Sequence, residues 1–331
     1  TGGTGYYIDE PRVTQALEQQ SGDAKYREDL HDLLTFWKAH CTYNIVLEET
    51  PEEIRRVIPT EQWKTQPVPA SPIIRMAGAY VNYDHLLQVG ICGLEDEIRS
   101  ARKTAQEQER DVVIYDCMLG ALEVLKDVCR HYQAQASQLA QNAATPQRRR
   151  EMQDLAAALE QITKRAPQSM LEAIQLAWLY SMMAQLIEFG RMDVYLGDFY
   201  CHDIDNGIIT EAQALRMVQS FYRLVDHLDC DTDGRVIVGG YGRRNPENAD
   251  RFCMVAIEAC RTVREILPQF TLRFNRETPK EVWDASMRCI GEGRTFPLLY
   301  NDDVLVPGVM HAFRVPRERA ELDAPVAGDA G

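Results

Sequence analysis

One segment limits the fold more than any other. Residues 169–187 are apolar nearly all round, with Met170, Leu171, Ile174, Leu176, Trp178, Leu179, Met182, Met183 and Leu186 covering every helical face. A helix with no polar side has to be enclosed by other elements. The stretch approaches membrane-span length, but Glu172, Gln175 and Gln185 would each be costly in lipid. The segment therefore predicts a central helix with neighbours on all sides.

Amphipathic patterns supply those neighbours. Leu30, Leu33, Leu34 and Trp37 share a face over 29–39, and longer helical stretches are predicted over 84–109, 111–142 and 147–164, with Pro146 breaking the chain between the last two. Thr210 and Gln213 have the spacing of a capping box that opens a helix over 211–228. The Pro-rich 65–72 segment is a connection. Strand patterns appear later, at 235–240, 269–274 and 296–300, with helices over 247–265 and 279–291 between them. Strand, helix, strand, helix, strand is the rhythm of a parallel sheet, and the three strands should be neighbours in it.

Composition excludes several classes of function. With 36 Lys+Arg against 50 Asp+Glu the net charge is −14, unfavourable for a nucleic-acid groove or an anionic membrane surface. The basic run Arg148–Arg150 reads as a solvated loop. The nine cysteines include no CxxC pair and several sit in apolar runs, which suits free buried thiols in a reducing cytoplasm. No metal is assigned, because HxxxH, HExxH and Cys/His clusters are all missing.

Three constellations are candidates for a site. Gly190, Arg191, Asp193 and Tyr195 follow the apolar helix directly. Arg and Asp two apart there suggest a buried or half-buried ion pair that fixes a chain reversal, with both side chains bonded to backbone or to each other and a substrate contact as the minor reading. Gly239, Gly240 and Gly242 follow a strand, but their spacing is neither GxGxxG nor a P-loop, so a tight turn is preferred over a phosphate cradle. Asn301, Asp302 and Asp303 follow the last strand. Adjacent carboxylates on an extended segment point to opposite faces, so a helix cap or turn is preferred over one shared site.

The order and wording of several segments say more. Tyr83-Asp84-His85-Leu86-Leu87 with Gly90 and Gly93, Glu172-Ala173-Ile174-Gln175-Leu176-Ala177-Trp178, Gly190-Arg191-Met192-Asp193-Val194-Tyr195, Gly239-Gly240, Pro268-Gln269-Phe270-Thr271-Leu272-Arg273 and Pro297-Leu298-Leu299-Tyr300-Asn301-Asp302 occur in that order. Together they resemble the pyruvate formate-lyase-like glycyl radical enzymes over roughly 76–315. The resemblance implies a helix-rich first part leading into half of a ten-stranded α/β barrel. It divides the chain into an N-terminal segment over 1–75, a half-barrel domain over 76–315 and a divergent or truncated tail over 316–331.

The resemblance also implies a chemistry: radical lysis, dehydration or acyl transfer through a thiyl radical, with a glycyl radical installed by an S-adenosylmethionine and iron–sulfur activating protein. No further cofactor is expected. The partners implied are that activating protein, a small-molecule substrate and a second copy in a homodimer. It assigns Tyr80, Asn82, Asp233 and Arg235 to the substrate pocket, suited to a polar or charged substrate. Ala79 stands where glycerol dehydratases have a His, and Glu188-Phe189 runs straight into Gly190 without a diol-binding His-Ser pair. A glycerol or choline substrate is therefore not expected. The family's thiyl Cys follows soon after the segment matched at 293–315, whereas this sequence has no Cys after Cys289. No catalytic residue is assigned, and neither the thiyl Cys nor the radical Gly has a counterpart, Gly331 included. Together with a first residue that is not Met, this implies a piece of a longer enzyme that is inactive alone. The alternative is a non-catalytic half-barrel acting as a binding module.

Overall fold

The computed structural model describes residues 14–15, 24–40, 49, 51–56, 81–184, 188–227, 234–265 and 268–323. The chain divides into two compact units, Thr1–Ala77 and Gly78–Gly331. Tyr80, Asp233, the Pro-rich 65–72 segment and the residues after 323 lie outside the described residues.

In the first unit the described elements are α1 (Ala24–His40) and the single turn α2 (Glu52–Arg55). The helix predicted over 29–39 lies within α1. Its Leu33 and Phe36 are exposed, and Phe36 stacks on His40 one turn on, with ring centroids 4.0 Å apart.

The second unit begins with four helices: α3 (Tyr83–Glu107), α4 (Val113–Gln141), α5 (Pro146–Ile162) and α6 (Met170–Ala184). Each starts or bends for a local reason. Asn82 caps α3 by accepting the His85 amide at 3.1 Å. Thr145 does the same for α5, with Pro146 in the first turn. Gly90 breaks α3 at φ 68°, ψ −178°, a backbone region essentially closed to other residues. A Cβ at Gly90 would lie 2.6 Å from Ala166 Cα, so the break also lets the α5–α6 connection pass close by.

Helix α6 is enclosed along most of its length, as its composition requires; exposure rises only in its last turn, at Met183. Its two polar liabilities are answered. Asp203 accepts the Met170 amide at 2.8 Å. Glu172 is held by Arg165 at 2.8 and 2.9 Å and by the Gln168 amide at 2.7 Å. Among the described residues no helix is long and apolar enough to cross a membrane.

The remaining elements alternate: β1 (Gly190–Arg191), α7 (Met192–Asp205), α8 (Glu211–His227), β2 (Val236–Gly239), α9 (Pro246–Thr262), β3 (Phe270–Phe274), α10 (Lys280–Gly291), β4 (Leu298–Asn301), α11 (Asp302–Phe313) and α12 (Arg317–Asp323). The capping box at Thr210 is present, with reciprocal bonds to Gln213 of 2.8 and 3.3 Å. The strands form one parallel sheet in the order β1-β2-β3-β4. The three predicted strands are therefore neighbours as expected. Strand β1 and helices α7, α11 and α12 were not predicted. Val236, Ile237 and Val238 are all buried, the continuous apolar run of a central parallel strand. Helices α7 and α9 lie against β2, and α11 against β3 and β4.

Within the second unit, one large core joins the first four helices to the sheet and its helices. Met170, Leu176, Phe189, Phe221, Phe252 and Phe270 belong to one cluster. Phe189 and Phe221 meet edge to face at 4.9 Å. A second, much smaller cluster of Val306, Val309 and Ala320 joins α11 to α12.

Candidate functional site

Because all four strands run the same way, their C-terminal ends lie along one edge, where α/β proteins place functional groups. That edge gathers three guanidinium groups and their partners. The Arg191 side chain leaves β1 and donates through Nη2 to the Gly239 carbonyl at 2.7 Å. Asp193, in the first turn of α7, accepts the Gly239 amide at 2.9 Å. The two residues thus grip the two polar groups of one residue at the end of β2. Of the two expected outcomes, bonds to backbone or to each other, the structure shows the first: both residues bond to the Gly239 backbone, and no ion pair joins them directly among the described contacts.

Asp193 is fully buried. Burial pushes its carboxyl above the usual range, opposed by the nearby Arg191 and Arg243 guanidiniums. Arg243 reaches Asp193 at 3.5 Å and Asp250 at 2.5 Å, and donates to the Gly240 carbonyl at 3.0 Å. The Cys253 thiol lies 3.7 Å from Asp193. Burial raises its pKa well above normal, so it stays a packed thiol.

Arg273, on β3, is 1 % exposed and Asp302, the first residue of α11, is 0 % exposed. They pair through two bonds of 2.9 Å. Asp302 also accepts the Tyr241 amide at 2.8 Å. Asp303 turns away, to the Tyr241 hydroxyl at 2.9 Å and to Arg276. Both carboxylates lie in the first turn of α11 and both reach Tyr241, Asp302 its amide and Asp303 its hydroxyl, so the helix start preferred here is present, without the alternation of an extended segment. Asn301 caps α11 by accepting the Asp303 amide at 3.0 Å.

This crowding accounts for the glycines. Gly239 and Gly240 have φ of 79° and 84°. A Cβ would lie 2.3 Å from the Arg273 carbonyl oxygen at the first and 2.6 Å from an Asp302 carboxylate oxygen at the second. The pair makes a tight turn under close contact, as preferred over a phosphate cradle.

Arg191 differs from its neighbours. Arg243, Arg244 and Arg273 each have a carboxylate within salt-bridge distance. Among the described residues, the hydrogen bonds of Arg191 go to backbone carbonyls, those of Gly239 and, at 3.5 Å, Glu321. Its Nε is buried without a hydrogen-bond partner among the described residues. Burial first, and then the like charge of Arg273, lower its pKa to about 10. It remains charged at neutral pH, and its charge is only partly compensated.

A family profile described as pyruvate formate lyase-like matches residues 10–322. The chain belongs to this family. Within it, the chain is 27% identical over 256 residues to the (2S)-3-sulfopropanediol dehydratase of Klebsiella oxytoca, covering 70% of this chain and 31% of that protein. It is 24% identical over 253 residues to the isethionate sulfite-lyase of Oleidesulfovibrio alaskensis, covering 68% and 30%. Among solved structures, a glycyl radical enzyme from Archaeoglobus fulgidus superposes with a TM-score of 0.72 at 18% identity, covering 96% of this chain and 44% of that one. A Roseburia inulinivorans structure of 1,2-propanediol dehydration gives the same TM-score at 17% identity, covering 96% and 43%. The chain thus spans about a third of the length of these curated relatives.

Of the four pocket residues implied by the resemblance, Asn82 and Arg235 are among the described residues. Asn82 serves as the α3 cap. Arg235 lies just before β2, at the opposite end of that strand from the arginine cluster, buried and bonded to Gln269 at 3.2 Å. The structure therefore does not bring Arg235 to the strand-end edge. Tyr195 is buried against Tyr83, with ring centroids 4.9 Å apart. Sequence reasoning missed Arg243 and the Glu321 carbonyl, and took Arg273 only as part of a strand motif. The available signal was a charged Arg inside an otherwise apolar strand, Phe270–Phe274, which requires a buried partner.

Proposed function

We propose that this chain supplies the first half-barrel of a glycyl radical dehydratase or lyase whose small polar substrate carries an anionic group. Arg191 carries the reading: it is the guanidinium of the strand-end cluster with carbonyl partners and, among the described residues, no carboxylate within 4.0 Å. An oxoanion suits such a group because a guanidinium offers several donors in one plane. The named relatives act on a sulfonated diol and on isethionate, and this supports an anionic substrate of that kind.

The chain's own residues bind and orient. The Gly239 carbonyl fixes Arg191, with Asp193 holding the Gly239 amide, and the Arg273–Asp302 pair fixes the end of β3. The bond-breaking step belongs to a thiyl radical generated from a glycyl radical. That radical is installed by an activating protein, and this sequence offers no Cys after Cys289 for the thiyl. The 331 residues alone are therefore expected to be inactive.

Two measurements test the reading. The purified chain, incubated with an activating protein and S-adenosylmethionine, should give no glycyl radical resonance and no turnover; either signal refutes the inactivity. Calorimetry should show saturable binding of isethionate, none of 1,2-propanediol, and loss of the former in Arg191→Gln. Equal binding by wild type and variant would remove Arg191 from the substrate contact.

A further inference from the structure

Helix α12 lies over the arginine cluster in an unusual way. The Glu321 carbonyl oxygen accepts from Arg273 Nη2 at 3.0 Å and from Arg191 Nη1 at 3.5 Å. One neutral oxygen thus stands where two guanidiniums converge. Little apolar burial holds it there. Helix α12 has seven residues, too few to be helical alone. Ala320 is its one buried side chain among those described, packed with Val306 and Val309 in the small cluster apart from the main core. Arg317 adds a contact over the Tyr241 ring at 5.1 Å. Burial of a single methyl group contributes little against the entropy of ordering seven residues. The contact is close nonetheless: a Cβ on Gly242 would lie 2.9 Å from Glu321 Cβ.

From this geometry we infer that α12 is a displaceable lid on the anion site, its Glu321 carbonyl holding the position that a substrate oxoanion oxygen takes when the helix lifts. The inference rests on the anionic-substrate reading above and adds its regulation. An oxoanion carries full negative charge and can accept from both arginines, whereas the carbonyl is a neutral acceptor with a long bond to Arg191. Exchange of one for the other therefore favours the anion once the helix is loose. The closed lid lowers apparent affinity by the fraction of molecules that are open.

The test uses the 331-residue chain with isethionate as probe and 1,2-propanediol as neutral control. Amide hydrogen exchange over 317–323 should speed up on addition of isethionate, with the strands at 236–239 and 270–274 unchanged and no response to the diol. Ala320→Gln, which expels α12 without touching the main core, should bind isethionate at least about fivefold more tightly. Arg317→Ala, which removes the Tyr241 contact and the 2.6 Å bond from Arg317 Nε to the Glu321 carboxylate within α12, should move affinity the same way by less, and stands in if Ala320→Gln does not fold. Saturable isethionate binding with unchanged exchange over 317–323 would overturn the lid and leave the anion site standing. So would a loosened α12 with no gain in affinity. Absence of binding to wild type and to both variants would overturn the anion site as well.

Discussion

The helical part over 81–184 and the strand-end edge over 188–323 use the same ion-pair chemistry to opposite effect. Arg102 and Asp116 join α3 to α4 through bonds of 2.7 and 3.2 Å, yet Arg102 is half-exposed and Asp116 exposed. Arg273 and Asp302 join β3 to α11 through bonds of similar length and are almost wholly enclosed. Water can replace the first pair, whereas loss of one partner from the second strands a charge in the interior. The helical part is thus held mainly by its apolar stripes, although Lys126–Glu95 at 2.6 Å and Arg165–Glu172 at 2.8 Å are largely enclosed pairs there as well. The strand ends are held by charges that have to be matched one by one.

Substitutions can break that contrast, in descending order of effect. Asp302→Ala should cost about 3–5 kcal/mol by leaving Arg273 buried and uncompensated, measured by denaturant unfolding. A cost under 1 kcal/mol would mean that water reaches the pair. Gly240→Ala should cost about 1–3 kcal/mol from the positive φ alone, and more if Asp302 is displaced; an unchanged midpoint would remove the crowding argument.

Acid sharpens the comparison. Burial pulls the Asp198 carboxyl up, but hydrogen bonds from Asn248, Asn245 and Arg244 outweigh it and hold its pKa below the ordinary 3.8. A depressed folded pKa adds stability above the unfolded value, lost as pH falls through the folded one. The difference in melting temperature between wild type and Asp198→Asn should therefore be constant above about pH 5 and shrink below about pH 4. A difference that persists at pH 2 would mean a role other than charge. Smallest of all, Arg102→Ala should leave the melting temperature unchanged, and a clear drop would show that the exposed pair matters after all.

Much of the helical part was legible in the sequence because its determinants are local. Apolar spacing, Pro146 and the Thr210 box each act within a few residues. The three longer strands were legible as β-branched or aromatic runs closed by Gly or polar residues. Strand β1 was not, because two residues show no alternation, and Gly190-Arg191 reads as a turn until β2 lies beside it. Helices α11 and α12 were missed for related reasons: Pro307 sits inside α11, and α12 is one short polar stretch. The strand-end cluster was legible only in part. Asp193 meets Gly239 46 positions away, and the Arg273 partner is 29 positions on. Residue identity announced that these charges needed partners, and only the fold could say which.

The sheet order carries a consequence for how the molecule assembles. Its strands are neighbours in chain order, but every pairing is parallel and crosses a long connection. Gly190 meets Val236, Val236 meets Phe270 and Thr271 meets Leu298, at separations of 46, 34 and 27 positions. No hairpin can nucleate such a sheet, and each closure loses chain entropy before any ladder bond repays it. The helices over 81–184 form largely from contacts within or between adjacent segments, α4 with α5 above all. The slow step in folding therefore falls in the sheet, and a chain emerging from the ribosome has its helical part available as a surface before β2 can find β1.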